Sequence, residues 1–478
     1  MQSDVIKVTQ QVLKGITPTF AEKRKMEQLA SALEQKVAIV CEKYGVEAIV
    51  RVEGSVAKDT WLKGDPDIDV FMRFPPSVPR KSMAEISLKV AHKATEGFEQ
   101  VERFADHPYL EAYIGDTRVN IVPCYLATPG EWLSATDRTP YHTDYINNHM
   151  KKELHREVRL LKKFMKGVGV YGAEIKVGGF SGYLCELLTL HYGSFIAVLQ
   201  AFARYLPKRI IDIEGQYKER LREIELLFSE PLVIIDPVDK SRNVASAVQP
   251  QKLQLFSSAS QTFLKEPNKE FFYPKKSTPL KPEALKSKLE NCGSDLIFLA
   301  FDEVKTVPDI LWGQLYKTKR SLRKQLELND FTVLRDAVWN EEKQEKTIII
   351  FELEQHFLPV AKKHLGPPLT HESECEKFLS KYTNDKNVLS GPYIEDDRWI
   401  VQIPRKQTDA IKLLKSKLKD GGKEAGVADL IARTINRQCS ILINLEIIGI
   451  YKNNQSFALF LTEFLSGKPF WLKLNKSN

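Results

Sequence analysis

Two aspartates separated by one residue are the side chains of this sequence with the clearest capacity for chemistry. Asp67 and Asp69 open the segment 67–74, whose alternating pattern is typical of a strand. Because alternate residues of a strand share a face, both carboxylates project to one side, and the apolar residues between them project into a core. Adjacent carboxylates repel each other unless a cation lies between them, and Mg²⁺ prefers oxygen ligands of this kind and also binds phosphate. The pattern indicates a magnesium site.

A glycine–serine turn precedes the two aspartates. Gly54 and Ser55 follow a short predicted strand, 48–52, and lead into a predicted helix. A helix start offers backbone N–H groups and a positive dipole end, to which Ser55 adds a hydroxyl, and these groups suit a triphosphate. A Gly-Ser turn followed by Asp-x-Asp on a strand resembles the polymerase-beta-like nucleotidyltransferase superfamily, in which two metal ions promote in-line transfer.

The elements that position these residues predict a mixed α/β domain, followed by helices and then by further mixed segments. The first domain is expected to contain helices at 20–44 and 82–97 and strands at 48–52, 67–74, 99–104, 110–114 and 117–123. Residues 151–230 are expected to be helical, including one long apolar helix at 183–205. After a proline- and lysine-rich linker near 270, we expect strands at 296–301, 331–340, 346–353 and 399–403 and helices at 309–329 and 407–419.

The composition excludes several classes of protein. The chain has 478 residues, of which 43% are hydrophobic and 28% charged, so it is not a collagen, a coiled-coil rod or a largely disordered chain. The net charge of +8 is a weak indication of an anionic partner. The six cysteines are widely spaced and predict reduced thiols in a cytoplasmic protein rather than a zinc site. No apolar run approaches the length that would predict a membrane span.

Further motifs follow the Asp-x-Asp strand in a fixed order. They are HPY at 107–109, VPCY at 122–125, DRTPYH at 137–142, EVRLLK at 157–162, YGAE at 171–174, GFSGYLCELL at 179–188 and DPVDKSRNVA at 236–245. Together with residues 54–71 they resemble the archaeal-type, class I CCA-adding enzymes, which are tRNA nucleotidyltransferases. Beyond residue 270 the resemblance extends only to length and element order.

The resemblance implies an α+β multidomain chain. It predicts a polymerase-beta-like nucleotidyltransferase head at 1–145, a helical central domain at 146–268, and a mixed α/β body and tail at 269–478. It also implies addition of C, C and A to the 3′ end of tRNA from CTP and ATP, without a nucleic-acid template and with release of pyrophosphate. The body and tail would grip the acceptor stem and TψC arm of the tRNA, and a homodimer is compatible with the family.

The resemblance also assigns residues. The catalytic and magnesium-binding residues would be Asp67, Asp69 and Asn120. Nucleotide binding would involve Gly54, Ser55, Lys58, His142, Lys162, Tyr171, Arg242 and Asn243. Within this set, Ser55 and Lys58 would hold the triphosphate, Lys162 and Tyr171 would reach the phosphates and sugar, and Arg242 with Asn243 would meet the base. An arginine suits that last task because its planar fork can donate to acceptors on either base.

One position departs from the family pattern. The third carboxylate of the family is replaced here by Asn120, in the segment 118–123. An amide can offer one oxygen to a metal, but it carries no charge and cannot take a proton from the attacking hydroxyl. The sequence leaves three explanations open: an engineered change, a naturally weakened or inactive homologue, or substitution by Asp116, which would share a face with Asn120 in a regular strand.

Two alternative functions also stay open. A poly(A) polymerase-like enzyme would share the head and the two aspartates, although the segments around Arg242 and 180–188 argue against it. An RNA-binding protein that has lost catalysis would explain Asn120. For RNA, the sequence offers basic residues on two predicted helices. They are Lys317, Lys319, Arg320, Arg323 and Lys324 on the first, and Lys412, Lys415, Lys417 and Lys419 on the second.

Overall fold

The computed structural model describes residues 2–218, 220–275, 277–341 and 346–472. The chain forms two compact units, the first made of Met1–Lys276 with Pro469–Asn478 and the second of Ser277–Lys468. The division of the chain into three domains stays a prediction of the sequence.

The first unit begins with a helix-covered sheet. Its elements are α1 (Gln2–Ile16), α2 (Phe20–Lys43), β1 (Ile49–Glu53), α3 (Gly54–Ala57), β2 (Asp67–Phe74), α4 (Arg80–Ala94), β3 (Glu99–Phe104), β4 (Pro108–Ile114) and β5 (Thr117–Tyr125). The strand order is β1-β2-β5-β4-β3. Only β2 and β5 pair in parallel, and the other neighbours are antiparallel.

One face of this sheet is apolar, and the opposite face carries the two aspartates of β2. Ile68, Val70 and Met72 of β2 are fully buried in a core that also contains residues of α2 and α4. The intervening Asp67 and Asp69 project to the opposite face, as the alternation of the sequence predicts. A capping box at Thr19 and Glu22 fixes the start of α2.

The remainder of the first unit is mainly helical around an aromatic core. Its elements are α5 (Thr139–His149), α6 (Lys152–Val168), α7 (Gly182–Tyr192), α8 (Phe195–Ala203), β6 (Arg209–Ile211), α9 (Leu221–Leu227), β7 (Leu232–Asp236), β8 (Asp239–Asn243) and α10 (Pro250–Lys265). The core is built on phenylalanines from several of these helices, with Phe164 in contact with Phe195, Phe256 and Phe263. Strands β6, β7 and β8 form a small sheet in that order.

The second unit contains two sheets. Its elements are α11 (Pro282–Glu290), β9 (Asp295–Asp302), α12 (Pro308–Glu327), β10 (Val333–Trp339), β11 (Lys346–Leu353), β12 (Ala361–Pro368), α13 (Glu372–Tyr382), β13 (Ser390–Glu395), β14 (Arg398–Pro404), α14 (Ala410–Lys417), α15 (Asp429–Arg437), β15 (Cys439–Ile443), α16 (Ile448–Asn453) and α17 (Gln455–Ser466). The sheet orders are β10-β11-β9-β15 and β12-β14-β13. Alternate residues of β9 enter two different buried clusters, which explains its unbroken apolar run.

The structure differs from the sequence expectations in three places. The long helix expected at 183–205 is broken, because Gly193 ends α7 with a φ of +81° and Ser194 caps α8. The region expected to be helical up to 230 contains β6, and β7 and β8 follow directly after it. The helix expected after Ser55 is the single turn α3. Within the described residues, no single helix is long and apolar enough to cross a membrane. Only the bent pair α7 and α8, taken together, has the length and apolar composition of a membrane span.

Candidate active site

The parallel pairing of β2 with β5 brings the predicted metal ligands together. Asp67 lies opposite Arg118, and Asp69 lies opposite Asn120. The Asn120 Nδ2 donates to Oδ1 of Asp67 at 2.9 Å and to Oδ1 of Asp69 at 2.8 Å. Arg118 adds two hydrogen bonds to Asp67, from Nε at 3.2 Å and from Nη2 at 2.5 Å. The amide therefore bridges the two carboxylates.

The electrostatics of this cluster suit a cation. Burial, and after it the negative charge of Asp67, raises the pKa of the Asp69 carboxyl, so a cation placed beside the two aspartates would favour the ionised form. The two carboxylates, with the amide oxygen of Asn120 after rotation of its side chain, supply the hard oxygen donors that Mg²⁺ takes. Within the described residues, no group of three or more His, Cys, Asp or Glu side chains is placed to hold a metal.

Gly54 allows the turn at residues 54–57 to approach the carboxylates closely. Its φ is +73°, and a Cβ atom at this position would collide with the Asp69 carboxylate. Ser55 follows in the single helical turn of α3, and Lys58 caps that turn. The required backbone conformation and the close contact both favour glycine. The turn therefore lies directly beside the acidic cluster.

Two predicted phosphate-binding lysines share one buried carboxylate, which the sequence prediction missed. Lys58 Nζ donates to Oε2 of Glu186 at 2.5 Å, and Lys162 Nζ donates to its Oε1 at 2.9 Å. Thr60 also donates to Glu186 and accepts from Lys162. Burial would raise the pKa of Glu186, but Lys162 and Lys58 lower it to about 2. Glu186 is the only charged residue of the apolar run 180–188, and that was the available signal.

Tyr171 lies next to the second of these lysines. A Cβ atom on Gly182 would lie 3.0 Å from the Tyr171 hydroxyl and 3.5 Å from the Lys162 Nζ, so both groups meet over the first turn of α7. Burial raises the pKa of Tyr171 well above its usual value, so the phenol keeps its proton and can donate a hydrogen bond.

A second cluster is centred on Asp236, which is fully buried. Its Oδ2 pairs with His142 Nε2 at 2.9 Å and accepts from Arg242 Nη1 at 2.7 Å, and its Oδ1 accepts from the Tyr183 hydroxyl at 3.2 Å. The rings of His142 and Tyr183 are stacked with centroids 4.0 Å apart. Lys58 lies 5.6 Å from the centre of the Tyr183 ring, so this cluster adjoins the lysines.

Asn243 lies beside Arg242 in sequence but has different contacts. Its Oδ1 accepts from the backbone of Ile234 and Ala245, both at 2.9 Å, and its Nδ2 donates to the Leu232 carbonyl at 3.0 Å. The side chain is 3% exposed and ties β8 to β7. Arg242 is thus the member of this pair that belongs to the Asp236 cluster.

This difference predicts opposite outcomes for two alanine substitutions. Arg242→Ala should lower kcat/KM for nucleotide addition by about 10- to 100-fold, since it removes charged hydrogen bonds worth about 1.5–3 kcal/mol. Its loss of stability should be the smaller of the two, because Asp236 keeps its hydrogen bonds with His142 and Tyr183. Asn243→Ala should instead reduce the free energy of unfolding by about 2–4 kcal/mol, because it leaves buried backbone groups unpaired. Steady-state kinetics and urea unfolding of both variants check this. Equal effects of both variants on stability would contradict it.

A clamp around Asp59 is a further feature that the sequence prediction missed. Asp59 adopts a φ of +46°, and its side chain contacts Lys23, His155 and Arg159. Arg159 also donates to the backbone carbonyls of Asp59 and Trp61. Burial would raise the pKa of Asp59, but the hydrogen bonds from His155 and Lys23 and the charge of Arg159 hold it well below its usual value. The clamp fixes the loop between α3 and β2.

Asp116, one of the candidates for the missing carboxylate, lies outside the strand. β5 begins at Thr117, and Asp116 is an exposed residue of the turn between β4 and β5. Its side chain therefore does not share the regular strand face with Asn120, which was the condition for that explanation.

Comparison with known proteins accounts for most of the chain. Residues 33–142 match a nucleotidyltransferase domain family, residues 156–273 match the second domain of tRNA nucleotidyltransferase, and residues 292–444 match the C-terminal domain of the CCA-adding enzyme.

Whole-chain relatives agree with these matches. The chain is 35% identical to the CCA-adding enzyme of Methanosarcina mazei over 457 residues, covering 95% of this chain and 97% of the relative. It is 35% identical to the CCA-adding enzyme of Methanothermobacter thermautotrophicus over 463 residues, with the same coverage. It is 36% identical to that of Pyrobaculum islandicum over 423 residues, covering 88% and 95%. The chain belongs to the CCA-adding enzyme family of nucleotidyltransferases.

Proposed function

We propose that this protein adds C, C and A to the 3′ end of tRNA, using CTP, ATP and magnesium. The observation that carries the proposal is the convergence of Asp67, Asp69, Lys58 and Lys162 beside the turn at Gly54, in a chain that matches CCA-adding enzymes over nearly their full length. The convergence supplies both anionic ligands for a cation and cationic ligands for a triphosphate.

The proposed reaction is an in-line displacement at the α-phosphate. The 3′ oxygen of the tRNA forms a bond to the α-phosphorus, the bond from that phosphorus to the β-phosphate oxygen breaks, and pyrophosphate leaves with the electron pair. The hydroxyl proton passes to solvent. Asp67 and Asp69 would hold magnesium, whose chemistry is to activate the hydroxyl and to neutralise charge on the leaving group.

The chain's own residues orient the nucleotide. Lys58 and Lys162 together carry one positive charge more than Glu186 balances, and this excess would act on the phosphates. Ser55 and Tyr171 would donate hydrogen bonds to phosphate or sugar oxygens. Arg242 donates from Nη1 to Asp236, and the other N–H groups of its guanidinium would donate to the base. Its planar fork can donate to acceptors on cytosine and on adenine, so one arginine can serve both substrates.

A stripe of basic residues in the second unit suits the tRNA backbone. Lys317, Arg320 and Lys324 recur at helical spacing on α12 and are all exposed. Lys319 and Arg323, on the same helix, are instead paired with Asp336. The proposal therefore assigns phosphate contacts to the first three, which we call the α12 basic stripe, and a structural role to the other two.

Neutralising the α12 basic stripe should weaken tRNA binding and reduce its salt dependence. Replacing all three residues by glutamine should lower the slope of log affinity against log salt by about 2 to 3, because each phosphate contact contributes about 0.9. Filter binding across a salt series measures this slope. The matched control, Lys319→Gln with Arg323→Gln, removes two charges that Asp336 and Glu327 already compensate and should change the slope by less than 1. Equal slopes for both sets would contradict the assignment.

The proposed function is tested by supplying tRNA that lacks its CCA end with labelled CTP, labelled ATP and magnesium. Extension by three nucleotides, with CTP required before ATP, is the expected result. Repeated addition of AMP from ATP alone, without any CMP, would favour a poly(A) polymerase-like enzyme. Binding of tRNA without any incorporation would favour a catalytically inactive homologue, which is the second candidate function because Asn120 lacks the charge of a third carboxylate.

Three finer statements are also proposals. The resemblance supports contact with the acceptor stem and TψC arm of tRNA, a homodimeric state, and a cytoplasmic location. Footprinting of the bound tRNA, sedimentation of the purified protein and cell fractionation test them in that order.

A further inference from the structure

The two buried lysines near the Gly54 turn differ in how much of their hydrogen-bonding capacity the protein already uses. Lys162 Nζ donates to Oε1 of Glu186 and to Oγ1 of Thr60, both at 2.9 Å, and to the Thr60 carbonyl at 3.4 Å. An ammonium group has three N–H donors, so all three donors of Lys162 are directed at the protein. The side chain can reach a phosphate only by giving up one of these bonds.

Lys58 keeps more of its capacity. Among the residues that the structure describes, its Nζ donates only to Oε2 of Glu186, at 2.5 Å, which leaves two N–H groups for a ligand. Its charge also lowers the pKa of Asp69, so the ammonium group and the acidic cluster share one electrostatic environment. A phosphate group therefore meets two free donors on Lys58, but it must compete with Glu186 for the third donor and for Lys162.

Glu186 is too deeply buried to meet the ligand itself. It is 1% exposed, its Oε1 accepts from Lys162 and from the Thr60 hydroxyl at 2.6 Å, and its Oε2 accepts from Lys58. Burial would raise its pKa, but the two lysines lower that pKa to about 2, so the side chain is ionised at neutral pH. The carboxylate can therefore act on a phosphate only through the lysines that it holds.

We propose that Glu186 is a positioning residue that competes with phosphate for Lys58 and Lys162 and so weakens the hold of the site on pyrophosphate. Pyrophosphate is the leaving group of the proposed reaction, so this inference rests on the proposed function. Two ammonium groups that face one carboxylate leave a single excess positive charge. When pyrophosphate departs, Glu186 takes back the N–H groups that the phosphate had held, so neither lysine is left buried and unpaired.

Isothermal titration calorimetry of the full-length protein with pyrophosphate and magnesium tests this role, because competition and structural support predict opposite signs. Glu186→Gln keeps one oxygen for Thr60 and Lys162 but turns an NH₂ group towards Lys58, which frees the third donor of that lysine. We expect this variant to bind pyrophosphate about tenfold more tightly than the unmodified protein, the effect of one charge-assisted hydrogen bond. If Glu186 only supported the structure, the variant would bind pyrophosphate more weakly, because the lysines would lose their positions.

A second pair of variants decides the question if Glu186→Gln folds poorly. Lys58→Gln leaves Lys162 and Glu186 as a matched ion pair without excess charge, and it should bind pyrophosphate at least about tenfold more weakly than the unmodified protein. Adding Glu186→Gln to Lys58→Gln restores one excess positive charge, and the affinity should recover by at least about threefold. Asp65→Asn is the control, because it removes an exposed acid that is paired outside this cluster, and it should change the affinity by less than about twofold.

The proposal is overturned if Glu186→Gln, folded by circular dichroism, binds pyrophosphate no more tightly than the unmodified protein. It is also overturned if the double variant binds pyrophosphate no more tightly than Lys58→Gln, or if the unmodified protein binds none. Because these readouts need no tRNA, they judge Glu186 separately from the extension assay that tests the proposed function.

Discussion

Asp69→Asn is expected to abolish nucleotide addition while leaving the fold intact. The substitution removes one of the two carboxylates that would bind the cation, and a catalytic cation contributes several kcal/mol to transition-state stabilisation. Incorporation of both CTP and ATP should therefore fall by roughly 1,000-fold. Stability should not fall, because asparagine has nearly the same shape and removes the repulsion between Asp69 and Asp67 in a buried setting.

The measurement pairs single-turnover addition with thermal unfolding. Asp65→Asn is the matched control, since Asp65 lies two residues before Asp67 but is largely exposed and paired with Lys166 on the surface. It should keep most of the activity. An Asp69→Asn variant that still adds nucleotides at more than a tenth of the original rate would show that the acidic cluster is not the catalytic centre.

Glu186→Ala is expected to be the most destabilising substitution among the site residues. The change leaves Lys58 and Lys162, which are 6% and 3% exposed, without their shared counter-charge. Removing one partner of a buried ion pair typically costs about 3–5 kcal/mol. Burial already lowers the pKa of Lys162, so loss of its proton would remove part of the cost of leaving that charge buried and unpaired.

Urea unfolding at several pH values measures the effect. In the variant, loss of the Glu186 charge should lower the pKa of Lys162 in the folded state further below its value in the unfolded chain. The free energy of unfolding of the variant should therefore rise with pH between these two pKa values, as Lys162 loses its proton. Glu85→Ala is the control, because Glu85 forms only an exposed pair with Lys81, and it should cost no more than about 1 kcal/mol. A loss at Glu186 no larger than the loss at Glu85 would contradict the argument.

The sequence predicted the parts of the site that depend on local pattern. The strand with Asp67 and Asp69 is encoded by period-two alternation, and the turn at Gly54 by a residue that tolerates positive φ. Both features are determined within a few residues of the chain, so they can be read without knowing the tertiary structure.

Features that depend on contacts between distant residues were not predicted. Glu186 meets Lys58 across 128 positions, and Arg159 meets Asp59 across 100. The sequence indicated that Asn120 lacks charge, but it did not show that its amide donates to both aspartates or that Glu111 is its partner across the sheet. Strand register decides these contacts, and the order β1-β2-β5-β4-β3 cannot be deduced from spacing alone.

The clamp around Asp59 has a consequence for how the first unit melts. Arg159 of α6 holds the loop that joins the turn at Gly54 to β2, while Glu186 of α7 holds Lys58 of the same segment. A fragment that stopped before α6 would lose the restraints from Arg159 and Glu186 and would keep only Lys23 of the clamp. The sheet and the helices should therefore unfold in one cooperative transition, and hydrogen exchange in the loop should be as slow as in the helical core.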